Sequence, residues 1–152
     1  IISLLLVILV SILLRSYSIS TPNFYFDEVL NLDATTGFIH RTGDAWVTAS
    51  FQPPLYNWIT SVPVKLLGIS EFSIRVSSAI FGTLTILLLY FFGKLFYDKK
   101  TGFLASILLM VLPLHVLYSR FAFTDTIHGF FVLLSIFFIE LTFFNKNPNV
   151  LV

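Results

Sequence analysis

Two adjacent carboxylates, Asp27 and Glu28, follow an almost wholly apolar run at the start of the chain. A third acid, Asp125, stands between two later apolar runs, in the stretch FTDTIHG. A carboxylate beside a hydrophobic segment can take a proton from a hydroxyl group or hold a cation, because charge interactions are stronger where water is partly excluded. Charged groups next to membrane segments are often functional, so these three acids are the candidate catalytic residues.

Two arginines stand at the ends of apolar runs. Arg75 immediately precedes one run and Arg120 follows another. A guanidinium at such a place can bind an anionic group, so both are candidate substrate-binding residues. The alternative is purely structural, since arginines at span ends often anchor in the membrane interface. The acids likewise have an alternative role, because negative charge in the first turn of a helix suits the helix dipole.

Other kinds of site have little support in the sequence. His40, His115 and His128 lie far apart and lack the spacing of metal ligands. The chain contains no cysteine, which excludes disulfides, thiolate metal sites and a cysteine nucleophile. The sequence also lacks the common motifs of nucleotide binding and of serine or zinc hydrolysis. The net charge of +1 indicates no basic surface for nucleic acid.

The elements that position these residues are predicted to be membrane helices. The chain is 57% hydrophobic and 17% aromatic but only 11% charged, which is far from the composition of soluble domains. Crossing the hydrocarbon takes about 20 apolar residues, with about 17 as the lower limit. Four runs qualify or nearly do, at about 1–14, 76–92, 103–118 and 127–144. The predicted fold is therefore an all-α polytopic membrane helix bundle, because an unpaired backbone cannot face lipid.

Lysines predict the orientation of these spans. Short loops rich in lysine stay on the cytoplasmic side of a membrane. Those that determine the orientation are Lys94, Lys99, Lys100 and Lys146. Counting crossings then places residues 15–75 and 119–126 outside, so that Asp27 and Asp125 lie at the same outer face. We expect the two acids to share one site there, near Arg75 and Arg120.

The long outer loop, about 15–75, is predicted to contain two amphipathic helices. The first covers the stretch DEVLNLDATTGFIHRTG and should end at Gly37 or Gly43. The second begins at the pair Pro53 and Pro54, because proline suits the first turn of a helix. Its apolar side chains fall on one side, as in a helix lying in the membrane interface. They are Trp58, Ile59, Val62 and Leu66.

The order of these landmarks resembles the amino-terminal part of the dolichyl-phosphate-mannose protein mannosyltransferase-like family, a branch of the GT-C glycosyltransferases. The resemblance rests on FDE in the first outer loop, FQPPLYNW, GISEFSIRVSS before the second span and SRFAFTDTIHG before the fourth. It implies an integral membrane enzyme of the GT-C type. Such an enzyme moves a sugar from a polyprenyl-phosphate carrier to a protein, lipid or glycan acceptor on the extracytoplasmic side. Family members have more spans, so we expect this chain to be a fragment that is inactive alone.

The resemblance also assigns roles to residues. Asp27 matches the essential acid of the first loop, with Glu28 beside it, and Asp125 matches a second acid. Gln52 precedes the proline pair where many relatives have histidine or another polar residue, which makes it a candidate substrate-binding residue. We hypothesise that Asp27 is the general base of a single inverting displacement and that an arginine neutralises the phosphate. Asp125 would orient the acceptor or, with Asp27, hold a divalent cation.

Two other functions fit part of the pattern. A transporter or channel subunit could bind a cation at its outer acids, but a transporter should also have acids near the bilayer midplane. A non-catalytic assembly subunit would be held in place by helix packing alone. It predicts that exchanging Asp27 or Asp125 for asparagine leaves cellular function intact, whereas the transferase hypothesis predicts loss.

Overall fold

The structure is a computed structural model that describes residues 2–21, 23–41 and 53–146, with side chains up to residue 143. Over these residues the protein is all-helical, which confirms the predicted all-α class. The helices are α1 (Ile2–Ser16), α2 (Phe26–His40), α3 (Pro54–Leu67), α4 (Glu71–Phe96), α5 (Lys99–Val111), α6 (Pro113–Arg120) and α7 (Thr124–Lys146).

Helix α4 is the centre of the bundle, because α1, α3, α5, α6 and α7 all pack against it. Its start is fixed by a capping box, in which the Ser73 backbone N–H donates to Ser70 Oγ over 3.2 Å and the Ser70 N–H donates to Ser73 Oγ over 3.1 Å. Gly68, before the cap, has a φ of 79°, a conformation that side chains with a Cβ rarely adopt. The turn between α3 and α4 is thus set by glycine and serine.

Two of the described helices, α4 and α7, are long and apolar enough to cross a membrane. Helices α5 and α6 together could form a third crossing, and α1 is a shorter apolar helix. The run predicted as one span at 103–118 forms two helices that meet at an angle of 62°, so a crossing there would be a broken one. Pro113 explains the break, because proline has no N–H to donate and its ring clashes with the preceding turn. Leu112 is accordingly extended, with φ −61° and ψ 115°.

Helices α4 and α5 approach backbone to backbone at Gly93 and Gly102. A Cβ added to Gly93 would lie 2.5 Å from Gly102 Cα, and one added to Gly102 would lie 2.6 Å from the Lys94 nitrogen. Small residues at such crossings let membrane helices come close. The two glycines therefore set the separation of this helical hairpin.

Helices α2 and α3 both bury polar side chains, and α3 exposes apolar ones. Thr35 Oγ1 and Thr60 Oγ1 are hydrogen-bonded at 2.8 Å between the two helices, and both residues are fully buried. Outside, Trp58 is 60% exposed and Leu66 is 77% exposed, as expected for an interfacial helix. We call the buried polar face the polar seam. It consists of Glu28, Asn31, Thr35, Tyr56, Asn57, Thr60 and Ser61.

Helix α2 ends later than the first of its two predicted stops. The helix runs through Gly37, which is buried, to His40. Arg41 caps it in the left-handed conformation, with φ 54°, and donates its N–H to the Gly37 carbonyl over 2.7 Å. The prediction of an end at Gly37 is therefore wrong, and Gly43 lies outside the described residues.

Candidate functional site

Glu28 and Arg75 form a buried ion pair at the start of α2 and α4. Arg75 Nε donates to Glu28 Oε1 and Arg75 Nη2 donates to Oε2, both over 2.7 Å. Both side chains are completely buried. Two parallel bonds between a guanidinium and a carboxylate fix direction as well as distance, so the pair sets how α2 meets α4.

The same pair also holds two irregular segments. Glu28 Oε1 accepts from the Ala122 N–H over 2.8 Å, and Oε2 accepts from the Tyr25 N–H over 3.1 Å. Arg75 Nη1 donates to the Ile19 carbonyl over 2.8 Å. We call these five residues the clamp, because they tie the segment after α1, the starts of α2 and α4, and the segment before α7 to one point.

Aromatic rings cover the clamp. The Arg75 guanidinium lies 5.5 Å from the ring centre of Phe24 and 5.3 Å from that of Phe121, within the range of a cation–π interaction. The ring of Tyr25 meets that of Phe121 edge to face at 4.7 Å. These rings exclude water from the pair, which strengthens its electrostatic attraction.

The clamp keeps Glu28 ionised. Burial alone raises the pKa of Glu28, but hydrogen bonds from Arg75, Ala122 and Tyr25, together with the charge of Arg75, outweigh it and bring the pKa below its ordinary value of 4.5. Burial and the nearby Glu28 charge raise the pKa of Tyr56. Tyr56 therefore remains a phenol, and its hydroxyl donates to the Ala122 carbonyl over 3.0 Å.

Asp27 and Asp125 are both exposed and both stand in the first turn of a helix. The segments that carry them are in direct contact, because Glu28 beside Asp27 binds Ala122, three residues before Asp125. Asn31 adds a second tie, since its Nδ2 donates to the Ala122 carbonyl over 2.7 Å. A site shared by the two carboxylates stays a prediction, and this contact supports it.

The other predicted site residues differ in their surroundings. Arg75 and Glu28 bind other groups of the protein, and both side chains are completely buried. Arg120 is half-buried, and its Nη2 donates to the Tyr17 carbonyl over 2.7 Å. It borders a cavity of about 530 Å³ between α1 and the α5–α6 bend, whose other lining residues are apolar. Gln52 lies outside the described residues.

A second cavity, of about 350 Å³, lies inside the bend between α5 and α6, where α7 begins. Its size is within the common range for ligand pockets, about 300–1,000 Å³. Asp125 is the one charged residue among the described residues that line it. The lining residues are Thr85, Leu109, Leu112, Leu114, His115, Tyr118, Asp125, Thr126, Gly129 and Leu133.

Sequence reasoning missed a buried cluster around Arg15. The side chain of Arg15 is completely buried, and its Nη2 lies 2.7 Å from His115 Nδ1. Its Nη1 donates to Ser11 Oγ over 3.0 Å, while its Nε has no hydrogen-bond partner among the described residues. The sequence did contain a signal for this cluster. A buried arginine in an apolar helix must be hydrogen-bonded, and Ser11 stands four residues before Arg15, on the same side of the helix. The partner His115, one hundred residues away, gave no such signal.

Within the described ranges, no three histidine, aspartate or glutamate side chains lie together as a metal site. A divalent cation held by Asp27 and Asp125 with a ligand from elsewhere stays a prediction.

Comparisons with known proteins bear on this arrangement. The family model described as dolichyl-phosphate-mannose-protein mannosyltransferase matches residues 51–151, which is more than half of the chain. An uncharacterized protein of Aquifex aeolicus (strain VF5) is 27% identical over 119 residues, covering 76% of this chain and 24% of the relative. The chain thus spans about a quarter of that relative's length. No solved structure matches the chain.

Proposed function

Because this chain belongs to the dolichyl-phosphate-mannose-protein mannosyltransferase family, we propose that the protein is a membrane glycosyltransferase. It moves a sugar from a polyprenyl-phosphate carrier to a protein, lipid or glycan acceptor at the extracytoplasmic face. The apolar helices α4 and α7 and the exposed apolar side chains around the bundle support an integral membrane setting.

The clamp is the observation that carries the proposal. A buried ion pair costs desolvation energy and is weak evidence for stability alone, but it fixes geometry. Here it orients the first turn of α2, so that Glu28 faces inward and the adjacent Asp27 stays exposed beside the segment leading to Asp125. In this proposal Glu28 and Arg75 position the acids and do not touch substrate, a different role from the one that the sequence suggested.

Asp27 acts as the general base. The acceptor hydroxyl oxygen attacks the anomeric carbon while its proton passes to the Asp27 carboxylate. The bond between the anomeric carbon and the phosphate oxygen breaks on the opposite side, and its electron pair leaves with the polyprenyl phosphate. One displacement of this kind inverts the anomeric carbon. Asp125 orients the acceptor or, with Asp27, holds a divalent cation.

Arg120 is the best placed described residue for the phosphate. Its cavity joins one guanidinium to apolar walls from α1, α5 and α6, and this combination matches a phosphate on an isoprenoid chain. Its bond to the Tyr17 carbonyl uses one of five guanidinium donors and leaves others for phosphate oxygens. A role for Gln52 as a further substrate-binding residue stays a prediction.

Exchanging Asp27 for asparagine tests the proposal, because asparagine keeps the shape but cannot accept the proton. General bases contribute about 10²–10⁴-fold to rate, so we expect Asp27→Asn to lower the rate of transfer by at least about 100-fold. The assay follows a panel of labelled polyprenyl-phosphate sugars with the full-length protein in membranes. Asp33→Asn is the matched control, since Asp33 is another exposed acid of α2.

The outcomes separate the candidate functions. Unchanged transfer by Asp27→Asn would remove Asp27 from catalysis. No transfer by the unaltered protein from any donor, together with unchanged cellular function of Asp27→Asn and Asp125→Asn, would favour the assembly subunit. Cation flux that both variants abolish would favour the transporter.

A further inference from the structure

The contact between Arg15 and His115 fixes the protonation of the histidine ring. A guanidinium has only donors, so the His115 Nδ1 that lies 2.7 Å from Arg15 Nη2 must be the acceptor. An imidazole whose Nδ1 accepts carries its proton on Nε2. Arg15 therefore holds His115 neutral, as the Nε2–H tautomer.

The Nε2–H of His115 has no hydrogen-bond partner in the part of the chain that the structure describes, although the ring is partly buried. His115 is one of the residues that line the cavity of about 350 Å³ next to Asp125. His115 lines the cavity, so a donor on its ring that has no protein partner is available to a group that binds there. The cavity thus joins a fixed donor, His115, to an acceptor, the carboxylate of Asp125.

This pairing decides the chemistry of the ligand. Asp125 repels an anionic phosphate but accepts hydrogen bonds from hydroxyl groups. A hydroxyl group can also accept from the His115 Nε2–H, and the leucine walls and the Tyr118 ring suit the apolar faces of a sugar ring. We propose that this cavity binds an uncharged sugar, with hydroxyl groups hydrogen-bonded to Asp125 and His115.

Arg15 is a positioning residue in this proposal. It does not line the cavity, and it acts only through the ring of His115. Gly82 lets Ser119 and Arg15 pack closely against α4, since a Cβ there would lie 2.6 Å from the Cβ of Ser119 and 3.2 Å from Arg15 Nε. The inference deepens the proposed function, because the bound sugar would be the transferred group or part of a glycan acceptor.

Direct binding tests the site without requiring catalysis. The probes are octyl mannoside and octyl phosphate, added to the full-length protein in lipid nanodiscs and followed by titration calorimetry. We expect octyl mannoside to bind. Octyl phosphate, which can also bind at Arg120, should compete for the mannoside site at least about tenfold more weakly than octyl mannoside itself, since the two differ in headgroup charge. His115→Leu should weaken mannoside binding about five- to tenfold, the equivalent of one hydrogen bond. His128→Leu is the matched control, because His128 lies on α7 but does not line the cavity.

The tautomer is tested by nitrogen NMR of histidine-labelled protein, with His115 assigned by its loss in His115→Gln. Protonation at Nε2 alone is the expected signal, and Arg15→Leu should produce a mixture of tautomers. Arg15→Lys should restore the signal in part, because lysine can still donate to Nδ1. His115→Gln should retain more mannoside affinity than His115→Leu, since the amide has both an acceptor and donors. These variants also cover the case in which Arg15→Leu does not fold.

The outcomes distinguish this inference from the proposed function. Octyl phosphate that competes for the mannoside site as strongly as octyl mannoside does, or unchanged mannoside affinity in His115→Leu, would overturn the inference even if the protein transfers sugars. Mannoside binding that depends on His115 in a protein without transfer would support the site and count against the proposed function. If transfer occurs, competition between octyl mannoside and the lipid donor would show that the donor's sugar occupies the cavity. Competition with the acceptor identifies the acceptor.

Discussion

At the scale of single residues, Glu28 and Arg75 depend on each other. Removing one partner of a buried ion pair leaves an uncompensated charge, at a cost of about 3–5 kcal/mol. We therefore expect Glu28→Gln to lower the free energy of unfolding by that amount, measured by thermal or denaturant unfolding in detergent. Asp33→Asn, an exposed change on the same helix, should stay within about 0.5 kcal/mol. Equal stability of the two variants would contradict the clamp.

The pH dependence of stability follows from the same pair. The folded pKa of Glu28 lies below its ordinary value of 4.5, so its contribution to stability is fully present above that pH. The contribution is lost as pH falls through the lower folded pKa. The stability difference between the unaltered protein and Glu28→Gln should therefore be constant near neutral pH and shrink below about pH 4.5. Unfolding midpoints of both proteins, measured between neutral and strongly acidic pH, check this. A stability difference that grows in acid would contradict a lowered pKa of Glu28 in the folded state.

The sequence shows where the acidic pair lies, but it does not show which of the two residues is buried and which is exposed. Successive helix residues point about 100° apart, so one of Asp27 and Glu28 faces inward and the other outward. Which one does so depends on the rotation of α2 against α4, and that rotation is set by Arg75, 47 residues away. Arg15 and His115 show the same limit, because only the packing of α1 against α6 reveals their contact.

At the scale of elements, the crossing of α4 and α5 allows no side chain at its centre. Gly93→Ala should destabilise the protein by about 1–3 kcal/mol, the usual cost of overpacking, because the added Cβ meets backbone that cannot move aside. Gly129→Ala is the matched control, since nothing lies within 4 Å of its added Cβ and alanine favours helix more than glycine does. Thermal unfolding of both variants in detergent is the measurement. Equal midpoints would show that the helices can separate.

The positions of helices could be predicted from the sequence where a long apolar run or a proline pair marks them. Helix α3 begins at the predicted proline pair. Helices α4 and α7 contain the predicted spans 76–92 and 127–144 and extend a few residues beyond them at each end. The bend after Leu112 was not predicted, although Pro113 stands in the run 103–118. A proline inside an apolar run can mark either a kink within one span or a break, and the packing of both pieces against α4 decides which.

At the scale of the whole molecule, the contacts of the clamp and of Arg120 gather the segment after α1, the start of α4 and the segment before α7 at one end of the bundle. The turn between α4 and α5 carries Lys99 and Lys100 at the start of α5. This grouping supports the predicted orientation, which stays a prediction because lysine distribution alone assigns the membrane sides.

Labelling of single cysteines tests that orientation. The 152 residues of this chain contain no cysteine, and any cysteine elsewhere in the full-length protein is first replaced by serine. Ser20→Cys and Lys100→Cys both replace exposed residues. We expect a maleimide that cannot cross membranes to modify Ser20→Cys in intact cells and Lys100→Cys only after permeabilisation. The opposite pattern would place Asp27 and Asp125 on the cytoplasmic side and exclude the proposed extracytoplasmic site.

The polar seam of α2 and α3 has a consequence for redesign. The Thr35 and Thr60 hydroxyl groups are hydrogen-bonded between these helices, and the Asn31 amide binds the Ala122 carbonyl, so the contact between the helices does not depend on apolar side chains alone. The periphery could be made hydrophilic by placing lysine or glutamate at Trp58, Val62 and Leu66, which point away from the seam. Such a variant would make this part of the protein soluble in aqueous buffer, while the hydrogen bond between Thr35 and Thr60 in the polar seam was retained.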